Sequence, residues 1–107
     1  MNVLIQGDNK PIVLEMDEPV ANITQFSAIL YWNDTKYKRW DMSNVLLSDT
    51  EIKLPLSQTD TLGIKDDYVE LEVKLLDSSD IEFFEIIPFI VQKRIDSTIF
   101  KLEGEPE

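Results

Sequence analysis

The chain has 107 residues, 43% hydrophobic and 29% charged, with 21 acids against 10 bases for a formal net charge of −11. That length holds one two-layer core and no second domain, and the composition is that of a folded globular chain. Cys and His are both absent, which removes a disulfide framework, a thiolate nucleophile, the usual zinc cage, the Ser–His dyad and the commonest general base.

In chain order, Val3–Ile5 is a short apolar opening followed by Gly7-Asp-Asn9 as a turn. Ile12, Leu14 and Met16 alternate as a second strand, closed by Asp17-Glu-Pro19. Ile23–Trp32 is the next strand, with Phe26, Ala28, Leu30 and Trp32 on one face and Gln25 and Ser27 on the other. Asn33-Asp-Thr35 is a hairpin turn, and Lys36–Trp40 returns from it. Residues 41–49 read as a loop with a short edge strand through Val45–Leu47.

The stretch from Thr50 to Asp77 carries the strongest pattern. Glu51–Leu56 leads into the polar turn Ser57–Thr61, with room for one helical turn, and Asp67–Leu75 then alternates polar and apolar at every second residue. A period of two gives one wet and one dry face, the mark of an antiparallel strand over a core. Asp77–Asp80 is a tight connection into Ile81–Gln92, and Thr98–Leu102 adds a final short strand. The expected fold is an all-β, antiparallel, immunoglobulin-like sandwich of seven or eight strands. Residues 1–102 form one domain and 103–107 a flexible acidic tail. The expected core comprises Ile12, Leu14, Phe26, Ala28, Leu30, Trp32, Ile52, Leu54, Val69, Leu71, Val73 and Leu75.

Few residues suggest chemistry. The acids sit in turns (Asp60, Asp66, Asp67, Asp77, Asp80) or on a wet strand face (Glu70, Glu72), where turn formation and solvation explain them better than paired-carboxylate catalysis. Asp77-Ser-Ser-Asp80 lacks the spacing of a calcium loop, and Gly7, Gly63 and Gly104 form no phosphate-binding loop. No enzymatic activity, catalytic residue, metal or cofactor is expected. Tyr31, Trp32, Tyr37 and Trp40 could form a stacking platform for a sugar ring, but large aromatics on alternating faces are more often core, and Trp40 reads as a core anchor. The acidic balance argues against direct nucleic-acid binding and leaves an acidic DNA-mimic inhibitor of a host protein as an alternative function. The opening residues lack the basic region and apolar length of a signal peptide, and Ile81–Val91, interrupted by Glu82, Glu85 and Pro88, cannot span a bilayer.

Leu54-Pro-Leu-Ser-Gln-Thr-Asp-Thr-Leu62 resembles a pattern in small proteins of phages and prophages of Gram-positive bacteria. There a strand ends in Leu-(Ser/Thr)-Gln-x-(Asp/Glu)-Thr-Leu, a short turn follows, and a Val-x-Leu-x-Val strand comes next. Gln6-Gly-Asp8 before Ile12-Val-Leu14, and the last hairpin around Asp77–Asp80, are similar to immunoglobulin-like baseplate or tail-associated modules. The resemblance covers roughly residues 1–95 in order of elements. It implies a structural or interaction module of a phage or prophage particle, made in the host cytoplasm and carried into the virion. Ser57, Thr59 and Asp60 can bond their own backbone and Thr61 can cap the far end, so the motif has a structural task. Tyr68, in phase with Glu70 and Glu72, departs from the inward corner tyrosine of antibody-type domains unless a bulge near Asp67 turns it.

Ile81–Val91 is apolar on both faces: Ile81, Phe83, Ile87, Phe89 and Val91 on one, Phe84, Ile86 and Ile90 on the other. A sandwich covers only one. Phe84, Ile86 and Ile90 are therefore the expected interface, either to a second copy in a homo-oligomer or to other virion proteins. The alternatives are a bulge at Glu85 that swaps faces midway, or Ile99-Phe100 folding back over the outer side.

Overall fold

The computed structural model describes residues 2–17 and 19–94. Their strands are β1 (Asn2–Ile5), β2 (Ile12–Glu15), β3 (Ile23–Trp32), β4 (Thr35–Asp41), β5 (Leu46–Leu47), β6 (Glu51–Leu54), β7 (Tyr68–Asp77) and β8 (Glu82–Gln92), with a helical turn α1 (Gln58–Leu62). They form a five-stranded sheet in the order β1-β8-β7-β3-β4 and a three-stranded sheet in the order β2-β6-β5. Neighbours β3, β7 and β8 against β2, β6 and β5 is the division of strands in an immunoglobulin-like sandwich. One pairing departs from the antiparallel expectation: β1 runs parallel to β8, from Asn2↔Phe89 to Ile5↔Gln92. The predicted strand over Thr98–Leu102 and the acidic tail lie outside the described residues.

Alternation decides what lies between the sheets. In β7, Val69, Leu71, Val73 and Leu75 are buried while Tyr68, Glu70, Glu72 and Lys74 face away. Phe26, Ala28 and Leu30 of β3 lie beside them, and Ile12, Leu14, Ile52 and Leu54 close the core from the smaller sheet. Val20, Leu56 and Ile64 are also buried, although none lies in a strand. Trp40 is 1% exposed and its indole Nε1 donates to the Pro55 carbonyl at 3.0 Å, tying the edge of one sheet to the end of the other. Trp32, expected in the core, is only half-buried at its margin. The β3–β7 ladder stops at Tyr31↔Glu70, one residue short of Trp32, which is paired on the β4 side alone, with Thr35. Its indole meets the Tyr68 ring edge-on, with centroids 4.7 Å apart.

Local chemistry fixes the turns. Asn33 takes the left-handed conformation (φ 51°) that Asn tolerates, between β3 and β4. The register then shifts, Leu30 facing Lys38 and Tyr31 facing Lys36, so that Tyr37 is an extra, bulged residue. Its hydroxyl donates to Asp66 at 2.6 Å and accepts from the Lys65 N–H at 3.3 Å. Asp77 closes the last hairpin by accepting from the N–H groups of Ser79 and Ile81, each at 2.9 Å.

The motif around residues 54–62 is a structural joint. Pro55 ends β6, and Ser57 and Asp60 form a reciprocal capping box: Ser57 Oγ accepts from Asp60 N–H at 3.0 Å and Asp60 Oδ2 from Ser57 N–H at 2.9 Å. Thr61 Oγ1 lies 3.2 Å from the Gln58 carbonyl, the contact within its own turn that the sequence suggests, and it also reaches across the fold to donate to the Asp8 carbonyl at 2.8 Å. Buried Gln6 answers from the other side, its Nε2 donating to the Ile64 carbonyl at 2.8 Å and its Oε1 accepting from Arg94 N–H at 3.2 Å. Gly7 between them has φ +81°, which a side chain would strain. The two sequence segments that carry the resemblance therefore meet, and they lock β1 to the start of β7.

Candidate protein-interaction site

The register of β7 and β8 runs unbroken from Tyr68↔Ile90 to Leu76↔Glu82. No bulge occurs at Glu85, so the face-swapping alternative fails. Phe84, Ile86, Pro88 and Ile90 all project from the outer face of the larger sheet, away from the three-stranded sheet. Phe84 is 50% exposed, Ile86 43% and Ile90 46%, and Val3 of β1, the registered neighbour of Ile90, is 52% exposed. Structure and sequence thus place the three candidate interface residues together in one column, extended by Val3.

The adjoining column on β7 is polar: Tyr68, Glu70, Glu72 and Lys74 face Ile90, Pro88, Ile86 and Phe84 in turn. The Tyr68 hydroxyl donates to Glu70 at 3.3 Å. No bulge turns Tyr68 inward. Burial, then the charges of Glu70 and Glu72, raise the Tyr31 hydroxyl above the usual tyrosine range. Burial and Glu70 do the same to Tyr68. Lys74 and Glu82 approach to 3.9 Å at the surface, a screened contact of little energetic weight. The site is an apolar stripe with an acidic margin.

The inner face of β8 departs from expectation. Phe89 and Val91 are buried and Ile87 is half-buried, but Phe83 is 44% and Ile81 65% exposed. Glu85 lies on this inner side, opposite buried Val73, and is itself exposed. The smaller sheet is simply too narrow to reach the first half of β8. Period-two reading shows which residues share a face but carries no information on how far the opposing sheet extends.

The aromatic platform is dispersed. Trp40 is core, Tyr37 is half-exposed but bound to Asp66, and Tyr31 and Trp32 are half-exposed with Tyr68 beside them. Burial, then the hydrogen bond to Asp66, raises the Tyr37 hydroxyl. Asp60 is the notable carboxylate: burial pushes it up, but hydrogen bonds from Lys38 (2.7 Å) and Ser57 outweigh this and hold it below the ordinary range. Its partners are structural. Among the described residues, no group of three or more carboxylates is placed to hold a metal ion, and no helix is long and apolar enough to cross a membrane.

Protein-family models, curated proteins and solved structures give no match to this chain.

Proposed function

We propose that the chain is a non-enzymatic structural and interaction module that docks another protein on the outer face of β8. The observation that carries this is the column of Phe84, Ile86 and Ile90, each more than two-fifths exposed on a regular, unbulged strand. Apolar area left in water forgoes about 25 cal/mol per Å², and a contiguous stripe of this kind with a polar margin is the usual anatomy of a docking surface. The setting we propose is a phage or prophage particle, at the tail or baseplate, with a second copy or another virion protein as partner. The protein would be made in the host cytoplasm and then carried in the virion. This setting rests on the resemblance of Leu54–Leu62 and Gln6–Asp8.

Light scattering across a concentration series tests self-docking: a dimer or larger ring is expected, and Phe84→Glu or Ile86→Glu should give a folded monomer. A wild-type chain that stays monomeric refutes the homo-oligomer, and Glu variants that unfold place the outer face in a core. Mass spectrometry of purified particles tests the setting, which falls if the chain is absent from them.

A further inference from the structure

β1 covers only the second half of β8, from Phe89 onward. Along Glu82–Pro88, β8 has β7 on one side and, among the described residues, no strand on the other. β2 is likewise paired on one side only, with β6. These two bare edges border the same open flank of the sandwich, because residues of both line two successive cavities. The first, about 430 Å³, lies between Ile12, Leu14, Ile87 and Phe89, bordered by the whole of β1 and by Lys10. The second, about 280 Å³, lies between Met16, Ile23, Leu75 and Phe83. Among the described residues, the β1–β2 connection borders the flank at one end and the β2–β3 connection, through Asp17 and Pro19, at the other. What is left is a slot with an apolar floor and unpaired backbone on its rim, about 23 Å long at 3.3 Å per residue.

Charge tells the possible occupants apart. Glu15, Asp17 and Asp77 line the second cavity, and among the described residues no lysine or arginine lines it; Glu82 also borders it, but its carboxylate turns to Lys74 on the outer face. Glu85 adds a carboxylate to the inner side of the bare edge. A second copy would bring the same carboxylates, and like charges across a strand pair repel. The chain beyond Arg94 carries Asp96, Glu103, Glu105 and Glu107 against the single Lys101, so it has the same sign.

We propose that this slot accepts an extended segment of another protein as an added strand. The segment pairs with the backbone of Glu82–Pro88, fills the cavities with apolar side chains beside Phe83 and Ile87, and carries lysine or arginine at the end over Glu15, Asp17 and Asp77. Main-chain pairing supplies affinity and the acidic end supplies polarity and selectivity. The inference builds on the reading of the chain as an interaction module but uses a different surface from the outer face of β8.

The test is NMR titration of the labelled chain with capped peptides of alternating valine and threonine, ended at one terminus or the other by two lysines, or by two glutamates. The expected result is shifts of the Glu82–Ile87 amides and of the Met16 and Ile87 methyl groups with a lysine peptide. Affinity should weaken as salt rises and be at least tenfold lower for the glutamate peptide. Glu15→Lys with Glu85→Lys, both exposed positions, should reverse that preference. Ile90→Glu, on the outer face where β1 already lines β8, should leave peptide binding intact even where it abolishes outer-face docking, which separates failure of one surface from failure of the other. The proposal is overturned if no lysine peptide shifts these signals, or if both peptide types bind equally. It is also overturned if the Glu82–Ile87 amides that point away from β7 are already protected from exchange in the free chain, or if they broaden with protein concentration alone, since the slot is then filled by the chain itself or by a second copy.

Discussion

Replacing Leu71 by Ala tests the register on which both surfaces depend. Leu71 is 0% exposed, and its registered neighbours are Leu30 on β3 and Ile87 on β8. The substitution removes three heavy atoms, worth about 2.4 kcal/mol at ~0.8 per buried methylene, before any cavity is counted. Leu71 is registered with a neighbour on both sides, and the β7–β8 ladder is unbroken through this point, so the hole closes little and the total should fall at about 3–5 kcal/mol, the upper part of the Leu→Ala range. A chain of 107 residues has a stability of roughly 5–15 kcal/mol, so the loss is a large share of it and should lower the melting temperature by about 12–30 °C. Urea and thermal melts followed by far-ultraviolet circular dichroism measure this directly. Glu70→Ala, one residue away on the outer face, should change stability by no more than about 0.5 kcal/mol. The opposite order of the two variants would mean that β7 is displaced by one residue and that every face assignment is inverted.

Three further outcomes are expected. Glu70→Ala should lower the titration of Tyr31 and Tyr68, because burial remains but the Glu70 charge is lost; ultraviolet absorbance of tyrosinate reads this, and unchanged curves would remove Glu70 as a cause. Asp60 is held below its ordinary value, so its contribution to stability is present above the unfolded carboxylate range and lost as pH falls through the lower, folded value; Lys38→Met should shrink that acid-side loss in melts between neutral and acidic pH. Thr61→Val keeps the volume but leaves the Asp8 carbonyl without its donor, and should cost about 1–2 kcal/mol in a urea melt, against nearly nothing if the contact is incidental.

Much of this fold is legible in the sequence because alternation is a local property. Val69, Leu71, Val73 and Leu75 declare their face without knowledge of any partner, and Ser57 and Asp60 declare a capped turn from three positions apart. Partnership is not local. Nothing in Asn2–Ile5 says that it lies parallel to Phe89–Gln92, and nothing near Trp32 says that the neighbouring ladder ends one residue too soon. Phe83 and Phe84 look alike as sequence, both aromatic and both beside Glu. Only the width of the opposing sheet reveals that the first overhangs a slot while the second faces open solvent. The outer stripe was legible through the double apolar pattern of Ile81–Val91; the slot was not, because an unpaired edge is a feature of neighbours that are missing.

The parallel pairing of β1 with β8 also sets an order of events in folding. Nearly the whole described chain separates Asn2 from Phe89, so loop closure makes this the costliest strand pair to form first. The β7–β8 hairpin and its pairing with β3 need no help from β1 and can assemble before it. During synthesis at about 5–20 residues per second, β1 waits roughly 4–17 s for its partner to be made. Its docking, secured by Gln6 and Thr61, then closes the fold instead of starting it. Leu4→Ala should accordingly speed unfolding and leave the folding rate almost unchanged, the behaviour of a residue whose contacts form after the transition state.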